Sequence, residues 1–212
     1  MKRTLILLAV LAAAPGAAPG TAPGTAHAAR RSLDPDWPCQ QVKVGELSVG
    51  AFWNGPAIDP ASANWQQDED VAALVGALTQ RRLPVEAAVQ RIDSFAKAAG
   101  SNKDRRLPLL FAGIFDVLNR ERAKVLDGLD RFGHRQKELA DGIRQEGEAL
   151  RAAQDANPPD EAKIRDLTQR LQWDQQFFET RQQSLRFACD LPQTIEQRLY
   201  GLAQAIQARL GE

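Results

Sequence analysis

Cys39 and Cys189 are the only two cysteines in a chain of 212 residues, and they constrain the fold more than any other feature. Their meaning depends on the compartment, which the first residues indicate. Lys2 and Arg3 form a positive n-region, Leu5 to Leu11 with Ala12 to Ala14 an apolar h-region, and Ala26-His27-Ala28 a small-residue cleavage site. Residues 1–28 therefore read as a secretory signal peptide cut after Ala28, and the mature protein is expected in the periplasm. The apolar run of about ten residues is half of the ~20 that a spanning helix needs. Ala-Pro-Gly repeats between Pro15 and Thr25 are low in complexity and fall outside the expected fold. No cysteine follows the h-region closely, so a lipid anchor is not expected.

In an oxidising compartment an isolated pair of cysteines reads as a disulfide, and only one connectivity exists. The chain-entropy model assigns the closure of a loop of about 150 residues roughly 5 kcal/mol, enough to decide the folding of a marginally stable domain. Trp37-Pro38-Cys39 carries the tryptophan-flanked cysteine of thiol-disulfide exchange enzymes. Those enzymes need a second cysteine two residues away and a βαβ setting, and neither is present. A structural cross-link is expected.

What the cross-link ties together follows from the periodicity. Residues 29–65 lack a helical repeat, are punctuated by Pro38, Pro56 and Pro60, and hold Trp37, Trp53 and Trp65. This stretch reads as an irregular arm whose tryptophans anchor it, each able to bury ~150–250 Å². Residues 66–212 read as helical. Val71, Leu74, Val75 and Leu78 have amphipathic spacing, behind an acidic first turn at Asp68 to Asp70 and ahead of Arg81 and Arg82 in the last turn. Pro84 restarts a helix with a stripe of Val85, Ala88, Val89, Ile92 and Phe95, ended by Gly100-Ser101-Asn102.

A long helix is expected from about Asp104 to Ala156. Leu107 to Leu118 is apolar on most sides, the pattern of a helix buried among others. Beyond it the pattern thins to Val125, Leu129, Phe132, Leu139, Ile143 and Leu150, with Gln136 and Glu146 filling two slots. A thin seam means one partner helix. Asn157-Pro158-Pro159-Asp160 opens the return, whose seam is Ile164, Leu167, Leu171, Phe178 and Leu185. The short loop makes the two helices antiparallel neighbours, with Leu150 near Ile164 and Phe132 near Arg181 and Leu185. About thirty paired residues would project ~45 Å. After Pro192, Ile195, Leu199, Leu202, Ile206 and Leu210 form a last amphipathic helix. The expected fold is all-α: a small bundle base, a coiled-coil-like hairpin over about 119–188, and an N-terminal arm.

Asp36-Trp37-Pro38-Cys39-Gln40, Trp53-Asn54-Gly55-Pro56 and Phe187-Ala188-Cys189-Asp190-Leu191-Pro192, with Glu196-Gln197-Arg198-Leu199, resemble a family of proteobacterial exported helical proteins of unknown function. The resemblance implies that both cysteine segments belong to one structural plan. It brings no activity and no site residues.

Chemistry finds little footing. Basic and acidic residues balance at 27 each, without the clustered basic excess of a nucleic-acid binder. Signal cleavage leaves His134 as the lone histidine, in mid-helix among Arg131, Arg135 and Lys137. Metal sites need converging ligands and nucleotide sites a Gly-rich loop between strand and helix, so no metal, cofactor or catalytic residue is assigned. Glu138, Asp141, Glu146 and Glu148 interleave with basic residues as a solvated face. The expected function is a non-enzymatic periplasmic adaptor or accessory protein, acting through its hairpin on a protein partner in the cell envelope. Two alternatives stand beside it. One is a holdase-type chaperone. The other is a carboxylate-dependent hydrolase at the tryptophan arm, using acids such as Asp36, Asp59, Asp68 or Glu69.

Overall fold

Two of the helices begin where an aspartate supplies a side-chain cap. Asp68 accepts a hydrogen bond from Val71 N (3.2 Å) and starts α1 (Glu69–Leu78). Helix α2 (Val85–Ala99) follows Pro84 and stops at Gly100, whose φ of +51° suits glycine. Helix α3 spans Lys103–Gln154, and Asp160 caps α4 (Glu161–Cys189) through Lys163 N. Helix α5 (Leu191–Gln207) carries Pro at its first turn. A computed structural model describes residues 34–211; the expected signal peptide, its cleavage site and residues 29–33 lie outside the described residues. Among the described residues there are five α-helices, three short 3-10 turns and no strand.

The base packs one face of every helix except α4 into a shared core. Val71, Val75 and Leu78 of α1 meet Ala88, Ile92 and Ala96 of α2. Leu107, Leu110, Phe111, Ile114 and Leu118 of α3 join Ile195, Leu199, Leu202 and Ile206 of α5. The first turns of α3 thus carry apolar residues on most sides because three other helices surround them. Beyond Leu118 the helix that runs alongside α3 is α4, with contacts from α5 and the arm at Arg122, Asp130 and Gly133. The two are antiparallel: the Arg181 guanidinium lies 4.6 Å from the Phe132 ring, and Gln136 Nε2 donates to Phe178 O (3.0 Å). Phe132 and Arg181 are neighbours, as the spacing predicts.

Several local expectations change. Arg81 and Arg82 are not in the last turn of α1, which ends at Leu78; Arg81 instead pairs with Glu121 of α3 at 2.9 Å. Val85 is exposed at the start of α2, and Ala96 and Ala99 rather than Val85 complete the buried stripe. The buried track of α3 runs Arg122, Leu126, Leu129, Gly133 and Gln136; Leu129 and Gln136 are expected seam positions, whereas Arg122 and Gly133 occupy positions that hydrophobicity alone does not mark. The break before α5 is one residue, Asp190.

The arm is seated on this scaffold by its indoles. Trp53 stacks on Phe111 (centroids 4.2 Å apart, planes 10° apart) and donates through Nε1 to Pro56 O (2.8 Å). Trp65 lies across Gly113 of α3, where a Cβ would come 2.9 Å from the indole, and its Nε1 reaches Asp116 Oδ2 at 3.3 Å. Both indoles are buried with their N–H satisfied. Trp37 is half-buried, its Nε1 donating to Gln41 O (2.7 Å).

Candidate interaction site on the helical hairpin

The root of the hairpin is clasped by the first part of the arm. Cys39 is bonded to Cys189, the last residue of α4, with Cα atoms 5.6 Å apart. Asp36 and Pro38 cross α3 at Gly133. Lys43 Nζ joins Asp34 (2.7 Å) to Asp130 of α3 (2.6 Å). That contact holds the Asp34 carboxyl below its ordinary pKa and raises that of Lys43, Asp130 being the larger cause for the lysine. Arg122 completes the clasp from within α3. Its buried guanidinium donates Nε to Glu196 of α5 (2.5 Å), Nη2 to Val44 O (2.7 Å) and Nη1 to Gly45 O (3.2 Å). One side chain thus ties two helices to the arm.

Three of the four acids that a hydrolase at the arm would employ, Asp36, Asp59 and Asp68, are engaged in ion pairs, a cap and a turn, and Glu69 is exposed in the first turn of α1. Asp36 faces His134 Nδ1 (3.2 Å) and Lys137 (3.8 Å), while His134 Nε2 lies 3.2 Å from Glu138. Asp59 accepts from Ala61 N. Asp68 receives Arg106 Nε (2.8 Å) and Nη2 (2.5 Å), which holds its carboxyl low. Among the described residues no group of three histidine, cysteine or acidic side chains is placed to hold a metal ion. No described helix is long and apolar enough to cross a membrane.

The outward side of α4 has a different character. Trp173 is 70% exposed and Phe177, one turn later, 47%. Together with Gln176 and Thr180 they line a hollow of about 160 Å³. Arg181 stands between the two helices, 4.6 Å from the Phe132 ring and 5.4 Å from Phe177, so the exposed ring is braced against the seam. Trp173 lacks such a brace among the described contacts. Single exposed apolar residues are ordinary; two aromatics on successive turns of a charged helix are the type of anchor that interfaces concentrate.

Sequence reading placed Cys39, Cys189, Trp37, Trp53 and Trp65 in the arm and its tether, and the structure brings all five onto the base and the hairpin root. It did not single out Trp173, although the seam positions Leu171 and Phe178 already set that residue off the buried face. It also gave no role to Gly133, Arg122 or Lys43, whose partners lie some 75 to 100 residues away in sequence. No family model, curated protein or solved structure matches this chain.

Proposed function

We propose that this protein is a non-enzymatic adaptor of the periplasm that engages a protein partner through the outward face of α4. The observation that carries the reading is the pair Trp173 and Phe177, exposed one turn apart on a helix whose other side is occupied by α3. Aromatic side chains supply large contact area at small entropic cost, and a few of them dominate typical interfaces. The clasp supports the same reading. A two-helix projection has little core of its own, and the Cys39–Cys189 bond with the Arg122 and Lys43 bridges fixes its root. A disulfide between two arm-and-root segments fits an exported protein, as does the N-terminal sequence.

Affinity capture from envelope extracts with wild type and with Trp173→Ser/Phe177→Ser tests the proposal. Both residues lie on the surface, so circular dichroism of the variant should be unchanged. A partner recovered by wild type and lost by the variant is expected. Identical recovery by both would refute the assignment of this face.

A further inference from the structure

The turn between α1 and α2 and the first turns of α5 border a half-open cavity of about 260 Å³ beside α3, lined among others by Arg81, Val85, Leu118, Ile195 and Arg198. We propose that this cavity binds a small amphipathic carboxylate, a single carboxylate on an apolar body of a few carbons. The proposal does not depend on the hairpin's partner.

Arg198 is the anchor. It is 9% exposed, and its guanidinium donates Nε and Nη2 to Leu78 O (3.0 and 2.7 Å) and Nη1 to Leu83 O (2.8 Å). Those three bonds leave two of the five guanidinium N–H groups for other acceptors. Both partners are neutral carbonyls. Among the described residues no carboxylate forms an ion pair with Arg198, and burial lowers its pKa, offset only by the more distant charge of Glu121. Buried charges are normally paired, so this cation lacks a full counter-charge.

Two further positive features line or adjoin the same cavity. Arg81 reaches it while its guanidinium pairs with Glu121. Val85 opens α2 after Pro84, which offers no capping side chain, so the first N–H groups of that helix lack a side-chain acceptor. Leu118 and Ile195, both buried, supply apolar wall. A guanidinium fork matches a carboxylate in two-point geometry, and the apolar walls favour a hydrocarbon body over a bare phosphate. The volume lies below the ~300–1,000 Å³ that drug-sized ligands fill. A short fatty acid and the C-terminal carboxylate of an apolar residue share this chemistry.

Calorimetric titration of the disulfide-intact protein with hexanoate and with N-acetyl-leucine, and with hexylamine and inorganic phosphate as contrasts, tests the site. Saturable one-to-one binding of a carboxylate is expected, with amide resonance shifts confined to residues 81–88 and 194–198. Tighter binding of hexanoate would mark a fatty acid site, and tighter binding of N-acetyl-leucine a peptide C-terminus. Arg81→Ala should weaken binding about two- to fivefold, and Glu121→Gln, which frees Arg81 and removes a competing carboxylate, should tighten it by a similar factor. Absence of saturable binding by either carboxylate would overturn the proposal, as would equal binding of hexylamine or phosphate, or weaker binding by Glu121→Gln.

Discussion

Gly133 lies directly beneath the carbonyl of Asp36: a Cβ built on the glycine would fall 1.8 Å from that oxygen and 3.1 Å from Pro38 Cδ. The arm crosses α3 at a residue without a side chain, which lets its backbone come so close. Alanine elsewhere in a helix gains about 1 kcal/mol over glycine, yet here the arm must lift away. Gly133→Ala should destabilise the protein by ~1–3 kcal/mol or more, the range of overpacking. Gly142→Ala, in the same helix with nothing within 4 Å of its Cβ, should stabilise by up to ~1 kcal/mol. Denaturant midpoints of the two variants give the comparison, and equal shifts would remove the close approach.

The tryptophans should separate by role. Trp53 is buried and stacked on Phe111, so Trp53→Ala should cost ~3–5 kcal/mol in urea unfolding. Trp173 is mostly exposed, and Trp173→Ala should fall within ~0.5 kcal/mol of wild type. A large loss at Trp173 would mean that its ring packs into the fold.

Non-reducing peptide mapping should return one cross-linked species joining the Cys39 and Cys189 peptides. Replacing both cysteines by serine should lower stability by ~2–5 kcal/mol, the usual range for a native disulfide. Free thiols in the native protein would dismantle the clasp.

Acid sensitivity follows from three carboxyls held below their ordinary value of 3.8: Asp34 by Lys43, Asp68 by Arg106 and Asp93 by Arg209. A folded-state pKa below the unfolded one adds stability that is present above about pH 4 and lost as pH falls through the folded value. Thermal midpoints should therefore fall as pH drops below about 4, modestly, since surface ion pairs are screened. Asp68→Asn should start lower at neutral pH and lose less on acidification. An unchanged slope would show that the Arg106 contact contributes nothing.

The elements were legible where a local signal sets them. Asp68 and Asp160 mark helix starts, Gly100 a stop, and the change from all-round apolar residues at Leu107–Leu118 to a thin seam marks where the base ends and the hairpin begins. Phe132 and Arg181 could be paired because a short loop fixes the register of an antiparallel return. The arm was legible only as irregular. Its path over α3 depends on a missing side chain at Gly133 and on Arg122 reaching two arm carbonyls, and neither leaves a hydropathy signal. Arg198 was hidden for the same reason, since its partners are backbone oxygens at the end of α1 and in the turn after it, about 115 to 120 residues earlier. Trp173 could have been found by asking which large apolar residue the seam leaves out.

The central claim is that α4 presents an aromatic face to a partner, and photo-crosslinking in living cells tests it most directly. A photoreactive phenylalanine analogue is placed at Trp173, at Phe177 and at Phe187, an exposed residue near the hairpin root. Positions 173 and 177 should yield the same adduct with one envelope protein, absent from position 187. No adduct at 173 and 177, or the same adducts from all three positions, would contradict the account.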